Sequence, residues 1–126
     1  MARIVSVSYD EPLLFTRELI LRGHHHEVRS ALGFADAMEL CATADQNLLV
    51  LGHSIPQDDK IQIIQCFRKA NPSGQVIILI RAGEERLPSA LVDTYVYPGN
   101  PEDLVRAIDT IASPSADRRS GIRRVK

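Results

Sequence analysis

Cysteine is scarce in this 126-residue chain: Cys41 and Cys66 stand alone, 25 positions apart, and no CxxC occurs. A domain of this size buries enough surface to need neither a disulfide framework nor a structural metal, and no CxxC offers a cysteine-based metal knuckle. Both cysteines lie in amphipathic stretches and read as small buried hydrophobes of a reducing compartment. No apolar run approaches the roughly 18 residues that span a bilayer. The start MARIVSVSYDEP also lacks the charged, apolar and small-residue regions of a signal peptide, so a cytoplasmic protein without membrane contact is expected. Tryptophan is absent and aromatics make up 5%, against 44% hydrophobic and 25% charged residues, the composition of one ordinary globular domain.

A net charge of −1 conceals an uneven distribution. Residues 118–126 hold Arg118, Arg119, Arg123, Arg124 and Lys126 and no acid, whereas all 16 acidic side chains lie before them. The segment after Ala112 has no apolar period and is rich in Pro, Ser, Gly and Arg, so the chain divides into a domain over 1–113 and a basic, unstructured tail over 114–126. A basic arm attracts phosphate backbones or acidic protein surfaces, but this one has no interleaved aromatics and no recognition helix. A nucleic-acid partner is therefore the less favoured reading.

Hydrophobic periodicity alternates short apolar runs with longer amphipathic ones. Strands are expected at 3–8, 26–31, 47–52, 75–80 and 94–99, and helices at 11–23, 33–45, 60–70 and 100–112. A further short helix is expected within 81–93, limited by Pro88. Pro12 suits a first helical turn, and Asn100-Pro101-Glu102-Asp103 combines an N-cap, a proline and two acids where the helix dipole favours them. NLLVLG and QVIILI are apolar throughout, as strands covered on both faces are. Five strands alternating with five helices predict an α/β fold with a parallel sheet between helical layers.

In such folds ligands occupy the crevice beyond the carboxyl ends of the strands. The segments that reach it are SYDEP (8–12), GHSIPQ (52–57), IRAGE (80–84) and VYPGNPEDL (96–104). In order and spacing they resemble the active-site loops of a bacterial response-regulator receiver (CheY-like) domain, over residues 2 to about 112. The resemblance implies a flavodoxin-like (βα)5 doubly wound sheet of order 2-1-3-4-5. The short interval between Ile80 and Tyr97 implies a shortened fourth helix.

Receivers carry an acidic pair for magnesium in the first loop, a phosphate-accepting Asp at the end of the third strand, Ser or Thr at the end of the fourth, and Lys-Pro at the end of the fifth. This chain has Tyr9-Asp10, Gly52, Ile80 and Tyr97-Pro98 there. A strand-anchored register places Ser8 and Tyr9 at the acidic pair instead, and both registers stay open at this point. Asp58 and Asp59 lie past the strand end and read as helix-start carboxylates.

The resemblance thus implies a pseudo-receiver with a degenerate pocket of Tyr9, Asp10, Gly52, Ile80 and Tyr97. It implies no catalytic residue, no cofactor and magnesium binding that is weak or lost, since Asp10 with its neighbour Glu11 facing elsewhere cannot supply the oxygens that magnesium selects. The expected function is a phosphorylation-independent interaction module in two-component signal transduction. Its partner would be a protein or a second copy of the chain, met through Tyr95, Tyr97, Arg106, Arg118, Arg119, Arg123 and Arg124. The alternative is a small-ligand sensor or enzyme built from Asp10, His53, Arg81 and Tyr97 around an apolar crevice. His53, next to Gly52, has Asp10 as its one candidate acid-base partner. His24, His25 and His26 read as a solvated turn rather than a metal site, because neighbouring side chains in extended backbone point to opposite faces.

Overall fold

A computed structural model of the chain describes residues 2–97 and 99–112. The basic tail, with Arg118, Arg119, Arg123 and Arg124, lies outside the described residues, as does Pro98. The strands are β1 (Arg3–Ser8), β2 (Glu27–Leu32), β3 (Leu48–Leu51), β4 (Gln75–Leu79) and β5 (Thr94–Val96), and the helices α1 (Glu11–Gly23), α2 (Phe34–Cys41), α3 (Gln57–Ala70) and α4 (Pro101–Ala112). All neighbouring strands pair in parallel in the order β2-β1-β3-β4-β5, as the sequence reading expected.

Alternation within the central strands divides the core into two layers. Val5, Val7, Leu49, Leu51, Val76, Ile78 and Ile80 face α2 and α3, where Cys41, Ile63, Ile64 and Phe67 meet them. Ile4, Leu48, Val50, Ile77 and Leu79 face α1 and α4, against Leu21, Leu104, Val105 and Ile108. Every residue of β3 is buried, which explains its unbroken apolar run. The edge strand β2 instead exposes Glu27 and Arg29, charges that discourage pairing with another sheet. Among the described residues no helix is long and apolar enough to cross a membrane.

The expected short helix in 81–93 does not form. Gly83 takes a left-handed φ of 87°, and Pro88 starts a new turn closed by the Leu91 N–H on its carbonyl, so too few residues remain between them to repay helix nucleation. The Tyr95 hydroxyl completes the segment by accepting from the Leu87 N–H at 3.0 Å, while Leu87 itself is buried in the core. The described residues therefore form four helices, where five were expected. Helix α2 also stops short of residue 45, because the Thr43 carbonyl accepts from Asn71 Nδ2 and Asp45 adopts a φ of 68°. Helix α3 starts at Gln57, three residues earlier than its apolar repeat alone suggested.

The histidine run is not one solvated turn. His24 and His25 are exposed, but His26 is buried, with Nδ1 accepting from the Ala2 N–H at 3.1 Å. That acceptor role leaves the ring proton on Nε2, which meets Asp109 Oδ1 on α4 at 2.9 Å. His26 thus ties the start of the sheet to the last helix. Both cysteines are free thiols; Cys41 is buried as expected, and burial pushes its thiol up to about 12, whereas Cys66 is only half-buried, its Sγ donating to the Met38 carbonyl at 3.5 Å.

Gly74, which precedes β4, is tightly enclosed: a Cβ there would lie 2.6 Å from the ring of Phe67, itself fully buried. Since that ring has no room to retreat, Gly74→Ala is expected to destabilise the fold by about 1–3 kcal/mol. Urea unfolding with an unchanged slope checks this.

Candidate functional site

At the carboxyl edge of the sheet, the pairing of Val7 with Leu51 brings Ser8 beside Gly52. Ser8 Oγ would lie 3.5 Å from a Cβ at residue 52 and the Val7 carbonyl 3.4 Å from it. Asp10 stands two residues past the end of β1 and caps α1, its Oδ1 accepting from the Leu13 N–H at 3.2 Å. Ser8 Oγ accepts from the Asp10 N–H at 3.0 Å, fixing the turn. The strand end itself therefore carries Ser8, and the carboxylate of Asp10 is committed to the helix start.

The third occupant of this edge is a residue that the sequence reading passed over. Arg17, on the second turn of α1, is 9% exposed, and its Nη1 would stand 3.0 Å from a Cβ at Gly52. The absence of a side chain at 52 is what gives the guanidinium its room. Nη1 is buried without a hydrogen-bond partner, and none of the ion pairs among the described residues involves Arg17. Desolvation pushes its pKa down from the usual arginine range, opposed by the charge of Asp10. A basic residue within α1 gave no signal in sequence; only the register of β1 against β3 shows where it points.

His53 is held below its ordinary value by burial, then by the charges of Arg81 and Arg17, with Glu84 and Asp10 acting in the opposite direction. At neutral pH it is a neutral imidazole among mixed charges. Lys60, on the first turn of α3, is buried, and desolvation lowers its pKa against the attraction of Glu84. Tyr97 is not part of this group. It is 54% exposed and lines a separate cavity with Arg17 between α1 and α4. The set Asp10, His53, Arg81 and Tyr97 therefore does not converge as one site.

Tyr9 turns toward α3 and donates its hydroxyl to Asp59 Oδ2 at 2.8 Å, so Asp59 is more than a helix-start charge. Burial, with that bond and the charge of Asp59, pushes the Tyr9 phenol upward, and it stays protonated. Ile80 is buried and continues the ladder, its N–H donating to the Val96 carbonyl at 2.9 Å. Among the expected contact residues, Arg106 is exposed and pairs loosely with Asp103 at 3.5 Å. Tyr95 is engaged internally with Leu87, and the Arg86 guanidinium stacks 4.5 Å from its ring centre. The described residues contain no group of three or more His, Cys, Asp or Glu placed to hold a metal ion.

No protein-family profile matches the chain, and no curated protein sequence matches it. Solved structures do. The response regulator TrrA of Thermotoga maritima, in complex with magnesium and beryllofluoride, superposes with a TM-score of 0.75 at 20% identity, covering 88% of this chain and 99% of its own. The same TrrA bound to the histidine kinase ThkA gives 0.74 at 20% identity, with 90% and 100% covered. A CheY-like receiver domain protein of Methanospirillum hungatei gives 0.74 at 22% identity over 95% and 97%, and the chemotaxis response regulator CheY4 of Vibrio cholerae gives 0.76 at 15% over 88% and 98%. The chain has the receiver fold.

A guanidinium whose Nη1 is buried without a partner costs more than an apolar side chain of the same reach. Arg17→Met, which keeps the packing of the stem and removes the charge, is expected to raise the unfolding free energy by about 1–3 kcal/mol. Denaturant midpoints of the two proteins check it.

Proposed function

We propose that this chain is a receiver-fold module of two-component signal transduction that works without phosphorylation, through contacts with a protein partner. The observation that carries the proposal is the position of Arg17. In the receiver scheme the end of β3 offers a carboxylate to a phosphoryl group beside a magnesium ion, whereas here Gly52 offers none and a guanidinium stands against it.

The residues do not suit magnesium. That ion selects several hard oxygen ligands, and the edge supplies Ser8 Oγ and an Asp10 already capping a helix, next to a fixed positive charge. Ile80 and Tyr97 likewise offer neither the hydroxyl nor the ammonium that reads a phosphoryl group in receivers. No step of phosphoryl transfer is derived for this chain, and it is not proposed as an enzyme.

What remains is the fold's outer surface. TrrA, which shares the fold, was solved with its histidine kinase, which supports a signalling protein as the partner class. Two parts of the surface suit such contacts. Phe15 and Leu19 lie one turn apart on α1, 60% and 56% exposed. A shallow groove lies over β5 and α4, lined by Thr94, Arg106, Ala107 and Ile111. A second copy of this chain is a partner of the same kind.

Amide NMR of the full chain with magnesium and beryllofluoride, the acyl-phosphate mimic, tests the proposal. The account expects no localised change at Ser8, Gly52 and Ile80. Saturable shifts confined to those residues would overturn it, because they require a metal-fluoride complex seated at the strand ends.

A further inference from the structure

Between α1 and α4, beside the end of β4, the fold leaves a cavity of about 100 Å³. Leu21, Leu79 and Leu104 form its buried floor, with Ile20 on the wall and Tyr97 and Thr16 at the exposed rim. Arg17 is the one charged residue that lines it. The same guanidinium carries the buried Nη1 without a hydrogen-bond partner. An apolar slot with one unpaired cation in its wall is complementary to a molecule with an apolar body and one planar anionic end.

We propose that this cavity binds a small monocarboxylate, whose carboxylate pairs with Arg17 and whose hydrocarbon part lies against Leu21, Leu79 and Leu104. Size limits the ligand: a closed cavity of about 150 Å³ accommodates benzene, and this one is smaller but open at its rim, so it takes a short branched chain or a single ring that extends into the rim. Charge and donors limit it further. A phosphate brings more oxygens, and more charge, than one guanidinium and the side-chain amide of Asn100 satisfy, for Asn100 Oδ1 already accepts from the Glu102 N–H at 3.0 Å and the Thr16 hydroxyl is already donated to the Pro12 carbonyl at 2.9 Å. A carboxylate matches the guanidinium edge with two parallel hydrogen bonds and leaves no oxygen over.

Binding would give Arg17 the direct ionic partner it lacks, and it would tie α1 to the start of α4 across the rim at Tyr97. The site stands on the cavity and the guanidinium alone and does not require the signalling role. Its test therefore reads ligand binding, separately from the beryllofluoride experiment.

The probe is benzoate, titrated into the full chain and followed by amide NMR, with benzyl alcohol as the neutral molecule of the same shape and inorganic phosphate as the competing anion. Benzoate is expected to shift Arg17, Leu21, Leu79 and Leu104 saturably with a Kd of about 1 mM or below. Benzyl alcohol should bind about tenfold more weakly, the worth of one charge-assisted contact, and phosphate should leave these residues unmoved. Arg17→Met should abolish the preference for benzoate over benzyl alcohol, and Leu13→Trp, which narrows the half-exposed mouth, should weaken both. Equal affinity for benzoate and benzyl alcohol in the unaltered protein would overturn the proposal. So would the absence of benzoate shifts at about 20 mM, a response to phosphate alone, or a benzoate affinity untouched by Leu13→Trp.

Discussion

A guanidinium packed into a fold with one nitrogen buried and unpartnered stays there only if the surrounding packing leaves it no other place. Arg17 meets that condition because α1 is fixed at both ends. Asp10 caps its start, and after its end His26 ties the turn into β2 to Ala2 and to Asp109 on α4. Leu14 and Leu21 press the helix onto the sheet, and Arg17, one turn from each, is carried inward with them. The end of β3 then has to accommodate the side chain, and Gly52 does so by having none. A Cβ at 52 would stand 3.0 Å from Nη1 with Arg17 in its present position, so a larger residue there obliges the guanidinium to give way, and the missing acceptor and the buried nitrogen beside it belong to one packing arrangement.

The frame of the fold was open to reading because it rests on local chemistry. Proline at the first turn of α1, the Asn100-Pro101 start of α4, and the apolar runs of β3 and β4 each carry their meaning within a few residues, and the strand order followed from the receiver resemblance. The segment 81–93 misled for a related reason. Its spacing allows a helix, and what prevents one is partly distant: the Tyr95 hydroxyl takes the Leu87 N–H, and Asp93 accepts from the Val76 N–H at 2.7 Å and pairs with Arg68. Those contacts hold the segment in separate turns rather than a helix.

The site was less legible than the frame, since its contacts join residues far apart in the chain. Tyr9 finds Asp59 across 50 positions and His26 finds Asp109 across 83. Neither pairing leaves a trace in spacing, and a histidine run gives no sign that one member is buried. Gly52 and Tyr97 were visible as departures from a pattern. Arg17 was not, because a basic residue on an amphipathic helix ordinarily lies in solvent with its stem along the surface.

The central claim is that a fixed guanidinium, its Nη1 buried, occupies the strand ends where the receiver scheme has a carboxylate and a metal. Side-chain nitrogen NMR of the arginines reads this directly, since restricted rotation and slow hydrogen exchange mark a guanidinium buried in packing. The account expects Arg17 to be slowed and protected relative to Arg22 and Arg106, whose side chains are 57% and 72% exposed. An Arg17 signal that rotates and exchanges as freely as those two would contradict it.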